Sequence, residues 1–398
     1  MHLARGAVAL IAAAALTAGC ASSSGSSAPW SGAAPHTSEP HGVTVEPDVP
    51  GNSGSGGPAA GGSAQPGLPP GSEPRRDPAV VATRLNAPVG LALLPDGTAL
   101  VGERVTGRIV RVQPVAGEPT PTVKTLTGLN AHGDGGLLDL AISPNYAEDN
   151  LVYAYITTPK DNRVVTFTLR GPVTPVLIGI PRGRTGNSGR LIFTADGNLL
   201  VGTGDAGRPA LASDPRSLAG KVLRITDIGR RAAGNPSASV VYTSGHSEIA
   251  GLCTGAGVAA VFDVEPTAAG IGEVNLLRAG ADYGWPRPRA GSVSALAKMP
   301  NTALAPGGCA VRDTTLFTTS LDGRRLLAMT LTGGGSAASP KSFRIVLQNR
   351  YGRLRTVVAA PDGAIWMTTS NKDGHGKPVP ADERVIRLVG GQVAANPT

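Results

Sequence analysis

Apolar and polar positions along the chain fall into short alternating runs rather than helical stripes. The first clear unit reads Pro88-Val-Gly-Leu-Ala-Leu-Leu, turns at Pro95-Asp96-Gly97, and continues Thr-Ala-Leu-Val-Gly-Glu103. A second runs Gly136-Leu-Leu-Asp-Leu-Ala-Ile, turns from Ser143-Pro144-Asn145, and resumes at Asn150-Leu-Val-Tyr-Ala-Tyr. A third runs Gly189-Arg-Leu-Ile-Phe, turns at Asp196-Gly197, and continues Asn-Leu-Leu-Val-Gly-Thr. Each is an apolar strand, a turn and a second strand; Asp-Gly after an alternating strand is a hairpin signal because glycine supplies the positive φ the turn needs. The turns begin near residues 95, 144 and 195, and a period of about fifty marks a stacked or radial repeat. Weaker copies stand at Leu321-Asp322-Gly323, at Pro361-Asp362-Gly363 and across Gly251 to Pro266. Partner strands with half-buried alternation follow at 107–112, 163–168, 221–225 and 384–388. Residues 78–392, divided by this period, predict an all-β, six-bladed β-propeller, whose closure protects its sheet edges.

Composition narrows the class further. With 55 Gly and 34 Pro the chain is no long-helix or coiled-coil protein, since both residues break helices. A net charge of +8 is modest and scattered, with no basic stripe interleaved with aromatics, so nucleic acid is not an expected partner. No late apolar run is long enough for repeated membrane spans.

The amino terminus reads as an address. His2 and Arg5 precede an apolar run from Ala7 to Ala18, which ends Leu16-Thr-Ala-Gly-Cys20. Residues 1–19 fit a lipoprotein signal peptide, with Cys20 taking the acyl chains (palmitate) as the mature first residue; a plain signal peptide with an incidental Cys is the alternative. Residues 20–77, rich in Gly, Ser and Pro, read as a flexible tether, and 393–398 as a disordered tail. The expectation is an exported domain anchored to the outer face of the cell membrane. Cys253 and Cys309 are the remaining cysteines: in an exported chain they suggest one disulfide, with two buried thiols as the other reading. The bridge would close a long loop and stabilise by roughly 4 kcal/mol.

Several strings in order resemble the glucose/sorbosone dehydrogenase-type propellers, soluble quinoproteins that use pyrroloquinoline quinone. They are Glu103-Arg-Val-Thr-Gly-Arg-Ile, Gly135-Gly-Leu-Leu, Ser188-Gly-Arg-Leu, Gly204-Asp205, Leu218-Ala-Gly-Lys-Val-Leu-Arg-Ile225, Tyr242-Thr-Ser-Gly-His246, Gly272-Glu-Val-Asn-Leu-Leu, Gly280-Ala-Asp-Tyr-Gly-Trp-Pro286 and Gly352-Arg-Leu-Arg355. The resemblance implies an oxidoreductase in which a His, four residues before the Arg of the Ser-Gly-Arg motif, takes the sugar hydroxyl proton. Arg190 fixes that register here, and the His position holds Gly186, which has no proton acceptor. The pocket-lining Gln positions hold Asp134 and Ala206, and the Arg that reads a cofactor carboxylate is Ser247. Arg353 and Arg355 match the family's cofactor pair, with Asp205 beside them in the implied pocket. The same resemblance implies a calcium ion near Glu273 and the Tyr283 carbonyl, to which Glu265 could add an oxygen.

Two functional classes follow. One is a propeller whose quinone chemistry is lost or altered and whose central face binds a cell-envelope sugar, another envelope component or a protein partner. The other is a working quinoprotein oxidoreductase, using pyrroloquinoline quinone and calcium, in which Asp134 or His246 replaces the missing base. His132, Asp134 and Asp139 lie close together at a strand start, His246 could pair with Glu248, and His375 sits in a glycine-rich loop. No CxxC, phosphate loop or nucleophile elbow is present.

Overall fold

The computed structural model describes residues 77–255 and 257–390. These form six four-stranded antiparallel sheets. Blade 1 comprises Pro88–Leu93, Ala99–Glu103, Arg108–Val112 and Thr122–Thr125, and blade 2 Leu137–Ile142, Val152–Thr157, Asn162–Phe167 and Thr174–Ile180. Blade 3 is Gly189–Phe193, Leu199–Thr203, Lys221–Ile225 and Val241–Ser244; blade 4 is Gly251–Gly255, Ala260–Pro266, Gly272–Leu276 and Ala297–Lys298. Blade 5 follows with Pro306–Arg312, Thr315–Ser320, Arg325–Thr332 and Ser339–Gln348. Blade 6 takes Leu354–Ala359, Ile365–Thr369 and Val385–Leu388 from the end of the domain and its outermost strand, Val80–Ala82, from the beginning. The first strands of successive blades pack side by side, and those of blades 1 and 6 also meet, so the ring closes. The six-bladed propeller is therefore the observed fold. The lipidation and tether residues, 1–76, and the tail lie outside the described residues.

Local turn chemistry explains the repeat. Gly97, Gly197 and Gly363 all take positive φ, and the preceding Asp96, Asp196 and Asp362 each accept a hydrogen bond from the backbone N–H two residues on. In the same three blades an arginine of the third strand, Arg111, Arg224 or Arg387, reaches back to that aspartate. The pairs are exposed on the aspartate side and add little stability, but they mark equivalent positions. Leu321-Asp322-Gly323 is not such a hairpin: it joins the second and third strands of blade 5, and the first hairpin of that blade turns at Asp313, where φ is +52°. Cores form between neighbouring blades, as where Phe262, Val264, Leu316 and Met329 pack at blades 4 and 5. Cys253 and Cys309, in the first strands of those two blades, are joined in a disulfide with their Cα atoms 5.7 Å apart. No helix among the described residues is long and apolar enough to cross a membrane.

Candidate functional site at the propeller mouth

One end of the propeller collects the loops that lead into each first strand and the loops that join each second strand to the third. These loops carry the charged residues that the repeat itself does not require. Arg104 follows the second strand of blade 1 and clamps the loop into blade 2, its Nη1 donating to the Gly133 and Gly135 carbonyls at 3.0 and 2.8 Å. Asp134 sits in that loop. Its carboxylate accepts the Asn187 side-chain amide and, at 3.3 Å, the Asn187 backbone N–H. Asn187 is buried and held in turn by Asn162 and the Gly183 carbonyl. Burial raises the Asp134 pKa, and the Asn187 bonds oppose the shift. Asp134 is thus committed to its neighbouring loop rather than free as a base.

The position expected to hold the family's histidine is closed. Gly186 has φ +66°, and a Cβ there would lie 2.6 Å from Asp205 Oδ1 and 2.7 Å from the Gly207 nitrogen. Asp205 is fixed by Trp285 Nε1, 2.9 Å from its Oδ2, and by the Gly207 N–H, 2.8 Å from its Oδ1. Ala206 donates its N–H to the Gly186 carbonyl at 2.8 Å, which laces the two loops together. A carboxylate therefore fills the space beside Gly186.

Ser247, where the quinone-reading Arg is expected, turns away from the mouth. Its Oγ lies 3.0 Å from Glu265 Oε2 and 2.9 Å from the Pro266 carbonyl, sharing its one hydrogen between them, and its N–H donates to Glu265 at 2.7 Å. The next residue does reach the mouth. Glu248 is half-buried, its carboxylate accepts no hydrogen bond from a described residue, and its electrostatic neighbours are Asp134, Arg355, Asp205 and Arg190. Burial and then Asp134 push its pKa up to about 7, with Arg355 opposing. Across from it, Arg355 is lowered to about 10 by burial and by Arg190; its Nε donates to Ser370 Oγ at 3.3 Å. Sequence reasoning placed Glu248 only beside His246. The signal for its role was its position one residue beyond the vacated arginine.

Arg355 lies on the first strand of blade 6, Arg353 stands just before it, and the two meet different surroundings. Arg353 is buried in ion pairs with Asp373, at 2.9 Å, and Asp322. It borders a cleft of about 380 Å³ that also meets Arg324, Arg350, His375 and Lys377. Beneath the mouth, the first strands of all six blades enclose a cavity of about 280 Å³. Arg190 and Asp139 line it; Asp139 accepts the Leu191 N–H at 2.9 Å, and burial pushes its pKa to about 6 against the pull of Arg190.

His246 does not face the mouth, which corrects its place as a candidate base. It is fully buried inside blade 4, with Nε2 2.8 Å from Thr243 Oγ1 and Nδ1 3.0 Å from both Glu265 and Asp263. It pairs with these residues and not with Glu248. Burial opposes its charge, but the two carboxylates prevail and raise its pKa to about 10. Tyr283 stacks on the imidazole, with ring centroids 4.8 Å apart. Glu273 lies on the other side of the cluster, its pKa pushed to about 7 by burial and then by Glu265 and Asp263. The expected calcium donors, Glu273 and Tyr283, therefore flank a group whose converging atoms include an imidazole nitrogen, a poor match to calcium's preference for oxygen alone. His132, in the loop before blade 2, and His375, at the edge of the Arg353 cleft, are both exposed loop residues.

The residues present fit pyrroloquinoline quinone poorly. The base position is sealed by Asp205, the carboxylate-reading arginine is a serine directed inward, and Arg353 is already neutralised by two aspartates. Three acidic side chains, Asp134, Asp205 and Glu248, influence one another around the mouth. Carboxylates gathered there work against an anionic, carboxylate-bearing cofactor, with Arg355 and Arg190 opposing them.

The chain nevertheless matches the family described as Glucose / Sorbosone dehydrogenase over residues 85–379. Among solved structures it is similar to the PQQ-bound aldose sugar dehydrogenase of Streptomyces coelicolor, at 36% identity and TM-score 0.72, covering 77% of this chain and 95% of that one. It is also similar to the putative oxidoreductase (glucose dehydrogenase) of Thermus thermophilus, at 35% identity and TM-score 0.72, covering 78% and 98%. Quinoprotein glucose dehydrogenase B of Acinetobacter calcoaceticus is 31% identical over 252 residues, 53% of this chain and 52% of that protein. The similarity thus spans about half the length of that curated relative, and 57% of the uncharacterised Synechocystis protein slr1608, which is 32% identical over 234 residues. With the family match covering all six blades in part or whole, the chain belongs to the glucose/sorbosone dehydrogenase family.

Proposed function

We propose that this chain is an exported, lipid-anchored member of the family whose mouth binds a carbohydrate of the cell envelope and which has given up the family's quinone chemistry. The observation that carries the reading is the Asp205 carboxylate packed against Gly186, where the proton-accepting histidine would need to stand. What the mouth retains suits a neutral polyol. Glu248 accepts hydroxyl hydrogen bonds, Arg355 donates them, and the half-buried Trp285 offers a ring beside Asp205. Hydrogen bonds to charged groups contribute about 1.5–3 kcal/mol each, enough to order a sugar ring. Anchoring through Cys20 would hold the domain close to such glycans; that cysteine lies outside the described residues.

The competing reading is a working aldose dehydrogenase in which Glu248, with its pKa near neutrality, takes the proton. The relatives named as sugar dehydrogenases favour it. One experiment separates the two. Detergent-solubilised full-length protein is titrated with envelope saccharides while tryptophan fluorescence is followed, and is assayed in parallel for aldose-dependent dye reduction with added quinone and calcium. Saccharide binding that Glu248→Gln weakens about ten-fold or more, with dye reduction at background, is the expected result. Aldose-dependent dye reduction abolished by Glu248→Gln would overturn the binding reading in favour of the enzyme.

A further inference from the structure

Blade 4 buries more acid than its hydrogen bonds can serve. Asp263 and Glu265 are two apart on the second strand, so they project to the same face, and their cross-strand partners are Asn275 and Glu273. Two glutamates directly opposite each other in a sheet are destabilising unless something lies between them. His246 enters the same face from the loop leading into the blade. Exposure is 0% for His246 and Asp263 and 2% for Glu265.

Glu265 is well provided for: the Ser247 N–H and hydroxyl reach Oε2, and Asn275 Nδ2 reaches Oε1 at 3.0 Å. Asp263 is not. His246 Nδ1 stands 3.0 Å from Glu265 Oε1 and 3.0 Å from Asp263 Oδ2, but a single N–H cannot point at both. With the proton directed to Glu265, both Asp263 oxygens are left buried without a well-aligned hydrogen bond, although His246 and Asn275 stand close enough to favour the carboxylate. Even against a charged His246, the two carboxylates leave one negative charge uncompensated in a dry interior, which costs several kcal/mol.

We propose that His246, Asp263 and Glu265 form a buried binding site for a divalent first-row metal ion, zinc or manganese, that ties the blade 4 loop to its sheet. One nitrogen and two carboxylate oxygens lie within 4.8 Å of one another. Donors about 2.1 Å from one ion are about 3.0–3.4 Å apart at octahedral to tetrahedral angles and at most about 4.2 Å apart; Nδ1 stands 3.0 Å from each carboxylate, and the two carboxylates, within 4.8 Å of each other, close slightly to take the ion. The surroundings prepare the ligands. Thr243 Oγ1, 2.8 Å from Nε2, can accept the ring N–H, which leaves the Nδ1 lone pair for the metal. Ser247 and Asn275 orient the Glu265 carboxylate, and the Tyr283 ring holds the imidazole plane. An imidazole with carboxylates selects borderline metals over calcium or magnesium. A divalent ion also balances the charge: two carboxylates and a neutral imidazole total minus two. Because Glu248 follows His246 by two residues, the metal would fix the base of the loop that carries it to the mouth. Closed to solvent, the site takes its ion during folding and releases it only on opening.

The test uses the full chain purified without chelators or affinity metals. Elemental analysis of the protein as isolated is expected to find about one zinc or manganese per chain. The protein is then unfolded with chelator and refolded with Zn²⁺ alone, with Mn²⁺ alone, or with neither. Refolding with one of these ions should raise the melting temperature by about 5 °C or more over the metal-free sample. Asp263→Asn should reduce metal content at least about ten-fold, and Cys253→Ser/Cys309→Ser, which disturbs the same blade without touching a ligand, should not. Wild type that refolds to the same melting temperature with and without both ions, and retains neither, overturns the proposal. So does Asp263→Asn that keeps its metal. If Asp263→Asn does not fold, the wild-type refolding comparison decides alone. A metal-free wild type with Asp263→Asn equally or more stable would identify Asp263 as a protonated acid instead.

Discussion

Restoring the family's histidine by Gly186→His is the sharpest probe of the mouth, because the structure adds a packing cost that the sequence does not show. From sequence alone the change refills an empty base position. In the structure, a Cβ at 186 would meet Asp205 Oδ1 at 2.6 Å and the Gly207 nitrogen at 2.7 Å, in a backbone conformation with φ +66°. The left-handed conformation costs a non-glycine residue about 1–2 kcal/mol. Displacing Asp205 forfeits its bonds from Trp285 and the Gly207 N–H, each about 1.5–3 kcal/mol for a charged acceptor. These losses overlap, since a small rotation of Asp205 relieves part of each, so we expect destabilisation of about 3–5 kcal/mol. For a domain of roughly 300 residues each kcal/mol lowers the melting temperature by about 1.5 °C, giving a fall of about 5–7 °C. Gly186→Ala, which adds the same Cβ at the same φ, should show most of this, and Asp205→Gly should cost much less in the Gly186→His background than in wild type, because the bonds it removes are already forfeited there. A double-mutant cycle by calorimetry measures that coupling. Dye reduction with aldoses, quinone and calcium should stay at background in every variant. A working general base contributes about 10²–10⁴-fold in rate. Gly186→His that melts with wild type and gains aldose-dependent dye reduction would refute the packing argument and the loss of chemistry together.

Three further outcomes follow from other parts of the molecule. The Cys253–Cys309 bridge links blades 4 and 5 across 56 residues, so reduction should lower stability by roughly 4 kcal/mol, and the unreduced folded protein should offer no alkylatable thiol by intact mass; two alkylated cysteines would contradict this. Asp139 has its folded pKa raised from 3.8 to about 6, so the native state binds the extra proton and stability falls as pH rises from about 4 to about 6, by about 3 kcal/mol, then levels off. Asp139→Asn should flatten the melting temperature across that window, and an unchanged slope would assign it to another group. Cys20→Ala should release the protein from the detergent phase in a partition assay if Cys20 carries the acyl chains; partition like wild type would leave the anchor reading without support.

What the sequence made legible was local. Asp-Gly turns announce themselves because the side-chain acceptor and the positive φ sit within four residues, and the blades built on Asp96, Asp196 and Asp362 follow directly. The same local chemistry misleads at Asp322, which occupies a similar string but bridges the second and third strands and serves as a partner for Arg353. The closing strand Val80–Ala82 is three residues long, too short to show alternation, and its place depends on pairing with a strand some three hundred residues away. Site residues were visible where a motif named them and obscure where folding decided the direction of a side chain. Nothing in the string Gly-His-Ser-Glu says that His246 turns into the blade toward Asp263 while Glu248 turns to the mouth. Lys221 illustrates the reverse: a charged residue in a matching motif whose ammonium is consumed by the Leu211, Ala212 and Ala219 carbonyls and so is structural.

The departures from the quinoprotein pattern are linked to one another through space. Gly186 lacks a side chain, and Asp205 occupies the volume beside it, held there by Trp285. Ser247 is short, so its hydroxyl and N–H can both turn to Glu265, which in turn orients His246 and Asn275 inside blade 4. A long arginine at 247 reaching for the mouth would surrender the hydroxyl bond and leave that Glu265 oxygen to the backbone alone. With positive charge absent at 247 and Arg353 neutralised by Asp322 and Asp373, the acidic trio Asp134, Asp205 and Glu248 is opposed by Arg104, Arg190 and Arg355. That balance disfavours a carboxylate-bearing cofactor and suits a neutral ligand with both donors and acceptors. Because each substitution is supported by the position of another, reverting one meets resistance from the rest. The physical expectation is a second stable arrangement of the mouth, in which reverting any one of these residues alone costs stability without rebuilding the family's pocket.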